Sequence, residues 1–415
     1  MESSSTTRIP YDIFIPIIEE LASQHCYEGL RACSQACRML LHPCRVHLFS
    51  TVNIDNNAHQ FAALLARNST IPNYVQNLTY QPTILSEDIA NALLLLNNIR
   101  TFVLSHCDFH YPRGLTPHIQ HALIHIFSSL SVTHISISQS SHLPAILLSS
   151  CSNLKHLVIR RETSFTSEIC NTILDTHRPP KLLSLDISRA TIPTVEEWHP
   201  VSKTRADGLP LLDLSDLQSL AFRTEGMQKV FLEKILGASP KLERLSITGI
   251  IKIAIPIIMP SPQQYSHQTN ALLVIQDPIP DDMLQTIINI LPTLRSLTLE
   301  WWLHADLISF EFPEVIKALQ ALAHQPNSIT EIQLFMWIPG SHTWADQDWE
   351  RIDHILADRS SFQRLEKLNL RLWVHQGPSG HYKKQVKKMA QFKTTKLPSL
   401  CLAADDYLDF TIVYF

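Results

Sequence analysis

Glycine is scarce in this sequence, nine in 415 residues, and none sits in a loop of the kind that cradles a phosphate. Neither H-E-x-x-H nor G-x-S-x-G occurs, which removes the metalloprotease and serine-hydrolase signatures. No catalytic residue and no cofactor is therefore assigned. No window approaches the roughly 18 apolar residues of a membrane span, and the opening MESSSTTR lacks the apolar stretch of a secretory leader. The cytosol or nucleus is the expected compartment. A strong charge of one sign is missing as well: Lys+Arg 34 against Asp+Glu 38 leaves −4, so neither nucleic acid nor a membrane is the expected partner. The run HYKKQVKKMAQFK puts Lys383, Lys384, Lys387 and Lys388 on one helical face and reads as a solvated surface. The eight cysteines form no paired secretory framework and are read as reduced thiols. Cys26, Cys33, Cys37 and Cys44 lie near His25, His42 and His47, but Cys33 and Cys37 have a helical spacing that suits packing as well as chelation. No metal is expected.

What the chain does have is a repeat. In KLERLSI, Leu242, Leu245 and Ile247 occupy an L-x-x-L-x-L pattern whose last two apolar residues share one face of a strand, with Ser246 and Thr248 on the other. The segment before it, MQKVFLEKILGASP, reads as a short amphipathic helix through Val230, Phe231, Lys234, Ile235 and Leu236, stopped by Gly237 and Pro240. Copies of this unit are located by the middle apolar position at Leu78, Phe102, Ile135, Leu157, Leu185, Leu220, Leu245, Leu273, Leu297, Ile332, Leu368 and Leu400. The steps average about 29 residues, the period of leucine-rich repeats. Units of that size cannot bury their apolar faces alone and stack into a solenoid with a parallel sheet inside and helices outside. The regularity lapses at Ser188 to Asp213 and again at GIIKIAIPIIMPSPQQYSHQTN, where Pro256, Pro260 and Pro262 forbid a long helix; Ile250 to Ile258 either prolong a strand or form a flap. DYLDFTIVYF alternates as a closing strand.

Residues 9–54 lack the repeat. Ile13, Phe14, Ile17, Ile18 and Leu21 share one helical stripe with Pro16 inside it, and Leu30, Cys33, Ala36, Cys37, Leu40 and Leu41 make a second. This stretch resembles an F-box, through Ile9-Pro10, the IIEEL of Ile17 to Leu21, Leu30, Ala36-Cys37-Arg38 and Leu48-Phe49. The family's two usual tryptophans are absent, with Leu40 or its neighbours and Phe49 in their places. The resemblance implies docking onto a Skp-family adaptor of a cullin-RING ubiquitin ligase, with Pro10, Phe14, Ile18, Leu21, Leu30 and Leu41 at the adaptor interface. A helical cap covering the first repeat would also account for the segment.

The fold expected is thus α/β: a disordered tail (1–8), an F-box-like helical module (9–54) and an irregular leucine-rich-repeat solenoid (55–415), its sheet concave and its helices convex. The function expected is that of a non-catalytic substrate-recognition subunit of an SCF-type ubiquitin ligase; the alternative is an interaction scaffold without a ligase. The target site is placed by register. Five positions beyond Leu297, Ile332 and Leu368 stand Trp302, Trp337 and Trp373, an odd offset that points away from the core. Glu300, Phe335, Arg371 and His375 flank them. Aromatic anchors beside an arginine are the composition of a protein-binding hot spot.

Overall fold

The computed structural model describes residues 11–83, 85–110, 114–160, 163–166, 178–189, 208–223, 229–251, 287–288, 290, 292–303, 309–310, 313–339, 343–344, 346–375, 391–403 and 408–414. The chain divides into two compact units, Met1–Lys181 with His199–Leu212, and Leu182–Trp198 with Asp213–Phe415. Both are α/β, built on parallel strands that neighbour one another in chain order.

In the first unit, helices α1 (Tyr11–Ser23), α2 (Tyr27–Ala36) and α3 (Arg38–Leu48) lead into strands β1 (Thr51–Ile54), β2 (Asn77–Tyr80), β3 (Thr101–Ser105), β4 (His134–Ser138) and β5 (His156–Arg160). Parallel neighbours need a crossover, and here α4 (Ala58–Arg67), α5 (Glu87–Leu94), α6 (Pro117–Phe127) and α7 (Ile146–Ser150) supply it. The helix starts are written in the sequence. Ser86 and Thr116 accept hydrogen bonds from the backbone N–H of Ile89 and Ile119, and Pro117 takes the first turn of α6, where its missing N–H costs nothing.

The second unit contains β6 (Ser184–Arg189), β7 (Ser219–Arg223), α8 (Lys229–Gly237), β8 (Arg244–Ile251), β9 (Ser296–Leu303), α9 (Pro313–Ala323), β10 (Glu331–Pro339), α10 (Asp346–Ala357), β11 (Lys367–His375), α11 (Phe392–Lys396), α12 (Pro398–Ala403) and β12 (Leu408–Tyr414). In α8 the sequence stripe is corrected by one residue: Val230 faces out, and Leu232 joins Phe231, Ile235 and Leu236 inside.

The register is the one the repeat pattern requires. Leu78, Phe102, Ile135 and Leu157 are successive ladder partners in the first unit, as are Leu185, Leu220, Leu245, Leu297, Ile332 and Leu368 in the second. Every one of these side chains is buried, together with the apolar residues three before and two after it. Along β3 to β5 burial alternates strictly, so in this unit the strands bury one face only, unlike the parallel sheets covered on both faces in doubly wound proteins. Helices lie on the buried side: Phe102 of β3 meets Phe127 of α6 edge to face at 5.6 Å, and Phe410 of β12 stacks on Phe392 of α11 at 5.9 Å.

One backbone device repeats through both units. The carbonyl immediately before a strand accepts two successive N–H groups from the next repeat: Gln76 from Arg100 and Thr101, Arg100 from Thr133 and His134, Glu243 from Arg295 and Ser296, Arg295 from Thr330 and Glu331. Each strand start is thereby pinned to its predecessor, which fixes register before any side chain is consulted.

Three expected positions are corrected. A strand stands ahead of Leu78, since β1 places Val52 opposite it; residues 9–54 therefore end on a ladder strand. β8 and β9 pair directly from Arg244↔Ser296 to Ile251↔Leu303, so no strand stands between them in the ladder; Leu273 itself lies outside the described residues. Leu400 is helical. The buried Asp353 carboxylate accepts the N–H groups of Ser399 and Leu400, both at 2.8 Å, and holds them as the first turn of α12. Leu408 is the residue opposite Leu368. Of the two irregular stretches, β8 runs on to Ile251; residues 190–207, 252–286 and the lysines 383–388 lie outside the described residues.

Candidate docking surfaces

The first surface is built on α1 to α3. Its second apolar stripe is split between two helices, because Cys37 is extended (φ −149°, ψ 134°) and turns the chain from α2 into α3. Ile18, Leu30, Leu40 and Cys44 then close a small core against Phe14, Leu21, Ala22, Cys33 and Leu48. The residues expected at the adaptor interface are distributed over this core. Ile18 and Leu30 are interior, Phe14 and Leu21 pack on the same core, Leu41 is half-buried, and Pro10 lies outside the described residues. The reason is size: three short helices must spend their best apolar residues on one another.

The apolar side chains left in water are others. Ile13 is 51% exposed, Ile17 48%, Tyr27 49% and Met39 61%. Ile13 and Ile17 are one helical turn apart on α1, which places them side by side. Pro16 sits between them in sequence, in the first half of α1. The helices are tied to the first repeat by His42, whose Nδ1 lies 2.9 Å from Tyr74 Oη.

The second surface is the face of the second unit's sheet opposite the buried leucines. Ladder pairing sets its residues in rows across the strands. The row at the strand starts runs Arg244, Ser296, Glu331, Lys367; the next, Ser246, Thr298, Gln333, Asn369, Asp409; the next, Thr248, Glu300, Phe335, Arg371, Thr411. Trp302, Trp337 and Trp373 are ladder partners in the following row, and His375 closes β11 opposite Pro339. All seven residues assigned to the target site by sequence thus stand on the three neighbouring strands β9, β10 and β11.

The geometry adds what sequence reasoning missed. Glu331 is a hub joining those strands, accepting from Ser296 at 3.2 Å, Gln333 at 3.0 Å, Asn369 at 3.3 Å and the Lys367 ammonium at 3.1 Å. Burial pushes its carboxyl up, but the hydrogen bonds from Lys367 and Gln333, the Lys367 charge and the Ser296 hydroxyl outweigh that and hold it below the usual range. Aligning E-I-Q-L of β10 with K-L-N-L of β11 on their ladder leucines would have found the pair, since Glu331 and Lys367 fall at one position. Two rows on, the Arg371 guanidinium lies over the Phe335 ring, 5.8 Å from its centroid, and Thr248 donates to Glu300 at 3.4 Å. Trp373 is half-buried and Arg371 is exposed.

Elsewhere the chemistry is quieter. Burial raises the Cys44, Cys107 and Cys151 thiols above their ordinary value, with Cys33 adding to Cys44 and Asp108 to Cys107, so these three are protonated and unreactive near neutrality. A groove of about 1080 Å³ in the second unit has Lys241, Arg295 and Arg364 along it but also Glu243 and Glu366, and so favours no single charge of ligand. Among the described residues no group of three or more His, Cys, Asp or Glu could hold a metal ion, and no helix is long and apolar enough to cross a membrane. A scan against protein-family models found no match for this chain, and a search of the curated proteins found none.

Proposed function

We propose that this chain is the substrate-recognition subunit of a cullin-RING ubiquitin ligase, an F-box-like head on a leucine-rich-repeat solenoid. The α1–α3 head docks a Skp-family adaptor, and the aromatic and charged face of the second unit holds a target protein. The subunit catalyses nothing itself. It raises the local concentration of the target's lysines at the ubiquitin carrier, which turns a bimolecular encounter into a tethered one.

The observation that carries this reading is the division of labour within the head. Ile18, Leu30, Leu40 and Cys44 satisfy its internal packing, yet Ile13, Ile17, Tyr27 and Met39 remain exposed. Large apolar residues left over by a closed core mark a surface for a partner. A cap that merely covered the first repeat would turn them inward.

Two neighbouring substitutions test it. Ile17→Asp alters only an exposed position, so stability should stay within about 0.5 kcal/mol, while co-purification of a Skp-family adaptor should fall by about 30-fold, the loss of one interface hot spot. Ile18→Asp places an unpaired charge in the head's core and should unfold it. If Ile17→Asp and Met39→Asp both retain the adaptor at the parent level, or the parent never binds one, the ligase assignment fails and an interaction scaffold is left.

A further inference from the structure

The row Glu300, Phe335, Arg371 has a polarity that constrains what can lie on it. An acid stands on β9, an aromatic ring on β10 and a base on β11, in direct ladder register. Arg371 is braced by Phe335 rather than by an acid: among the described residues no carboxylate is paired with it. Parallel strands lie about 4.8 Å apart, so the backbone positions of Glu300 and Arg371 are separated by about 9.6 Å with that of Phe335 midway.

A complementary ligand must therefore present an acid, an apolar group and a base on one face over about 10 Å. An extended chain presents same-face residues at i, i+2 and i+4, a span of about 13.5 Å, which overshoots. In an α-helix, residues i, i+4 and i+7 lie on one face and span about 10.5 Å, which matches. A helix about 10 Å wide also reaches the next row, some 6.7 Å further along the strands, where Trp302, Trp337 and Trp373 are aligned in register.

We infer that the ligand of this face is an amphipathic helix laid across β9, β10 and β11, with an acidic residue over Arg371, an apolar residue over Phe335 and a basic residue over Glu300. The inference rests on the reading of this face as the target site and names the kind of segment it selects. Acid at i and base at i+7 also suit the helix macrodipole, which sets the bound helix with its N-terminal end toward β11. The guanidinium can grip a carboxylate through two parallel N–H groups while its plane stays on the Phe335 ring.

The experiment uses the full chain and fluorescein-labelled helical peptides of about 21 residues sharing one leucine stripe. They differ only at i and i+7, as Glu/Lys, Lys/Lys and Glu/Glu, and a fourth carries proline at the centre of the Glu/Lys sequence. The Glu/Lys peptide should bind about tenfold tighter than either like-charged one, each misplaced charge being worth about one decade, and proline should remove binding. Arg371→Glu should move the preference to Lys/Lys, and the milder Arg371→Gln should level Glu/Lys with Lys/Lys. Adaptor co-purification is measured on the same variants and should not change, so a failure of the ligase reading and a failure of this one are told apart. Equal binding of the three peptides, binding by none, retention with proline, or a preference that ignores Arg371→Glu would each overturn the inference.

Discussion

The two units share a buried side and differ on the other. In the first, the residues opposite the core along β2 to β5 are mostly small, Asn77, Thr79, Thr101, Val103, Ser105, Ser136, Ser138 and Val158, with the stacked rings of His134 and His156, 4.2 Å apart, at the strand starts and the exposed Arg160 at the end of β5. In the second, the same rows carry Glu331, Lys367, Gln333, Asn369, Phe335 and Arg371, and Trp373 stands one row further along. Identical ladder positions thus hold a mostly short, hydroxyl-rich surface in one unit, with Arg160 as its long charged member, and a longer, charged and aromatic one in the other. Fold stability is carried by one alternate set of residues on these strands, and on the proposed reading recognition is carried by the other set in the second unit. The comparison breaks first if the buried sides are not equivalent. Leu157→Ala in the first unit and Leu297→Ala in the second remove fully buried side chains, and each should cost about 2–5 kcal/mol in urea unfolding. A cost near zero for either would mean that its unit does not depend on the ladder as the other does.

A smaller effect sharpens the difference on the outer faces. Trp373→Ala should weaken binding of the Glu/Lys peptide by about 30-fold, as a hot-spot truncation does, with less loss of stability than Leu297→Ala. Val158→Ala, at an outward position of the first unit, should leave that binding untouched. Fluorescence anisotropy on both variants decides it, and equal losses would place recognition on neither face in particular.

Much of the fold was legible in the sequence, because the ladder leucines recur with one geometry and period-2 alternation leaves no choice of face. Leu78 to Leu157 and Leu185 to Leu368 were readable for that reason. Leu400 was not, since its helix depends on Asp353, a capping acid 47 residues away, and no local pattern announces a cap from another element. Leu273 satisfied the motif by composition, but β8 and β9 are direct neighbours in the ladder, which leaves no ladder position between Leu245 and Leu297. In the head, the stripes of apolar residues were visible, but a stripe gives the face of a helix and not the use to which that face is put. Ile17 and Ile18 are adjacent and chemically identical; packing sends one into the core and leaves the other in water. The residues assigned to the target site were found by counting from the ladder, whereas the Glu331 hub needs partners on both neighbouring strands and emerges only when the repeats are laid side by side.

The smallest expected effect concerns that hub, and its sign follows from the depressed acidity of Glu331. The folded carboxyl titrates below its ordinary value of 4.5. Above the unfolded value Glu331 is ionised in both states, and its bonds to Lys367, Gln333, Ser296 and Asn369 contribute fully. As pH falls, the unfolded chain takes up the proton first, which favours unfolding, and the contribution is lost as pH passes through the lower folded value. Glu331→Gln keeps the shape of the side chain but removes the charge that Lys367 meets. The variant should therefore be less stable than the parent at pH 7, and the gap should narrow as pH falls from about 5 toward 3, past the ordinary carboxyl range. Lys367→Met should give the same narrowing, because it takes away the other half of the pair. No matching change is expected from Ser136→Ala, in an outward row of the first unit whose other members are Thr79, Val103 and Val158. Thermal melts of the three variants and the parent at pH 7, 5, 4 and 3 measure it. A gap that stays constant with pH would show that the hub holds the strands through its hydrogen-bond geometry alone, and the charged face would then differ from the hydroxyl-rich one in recognition but not in its response to acid.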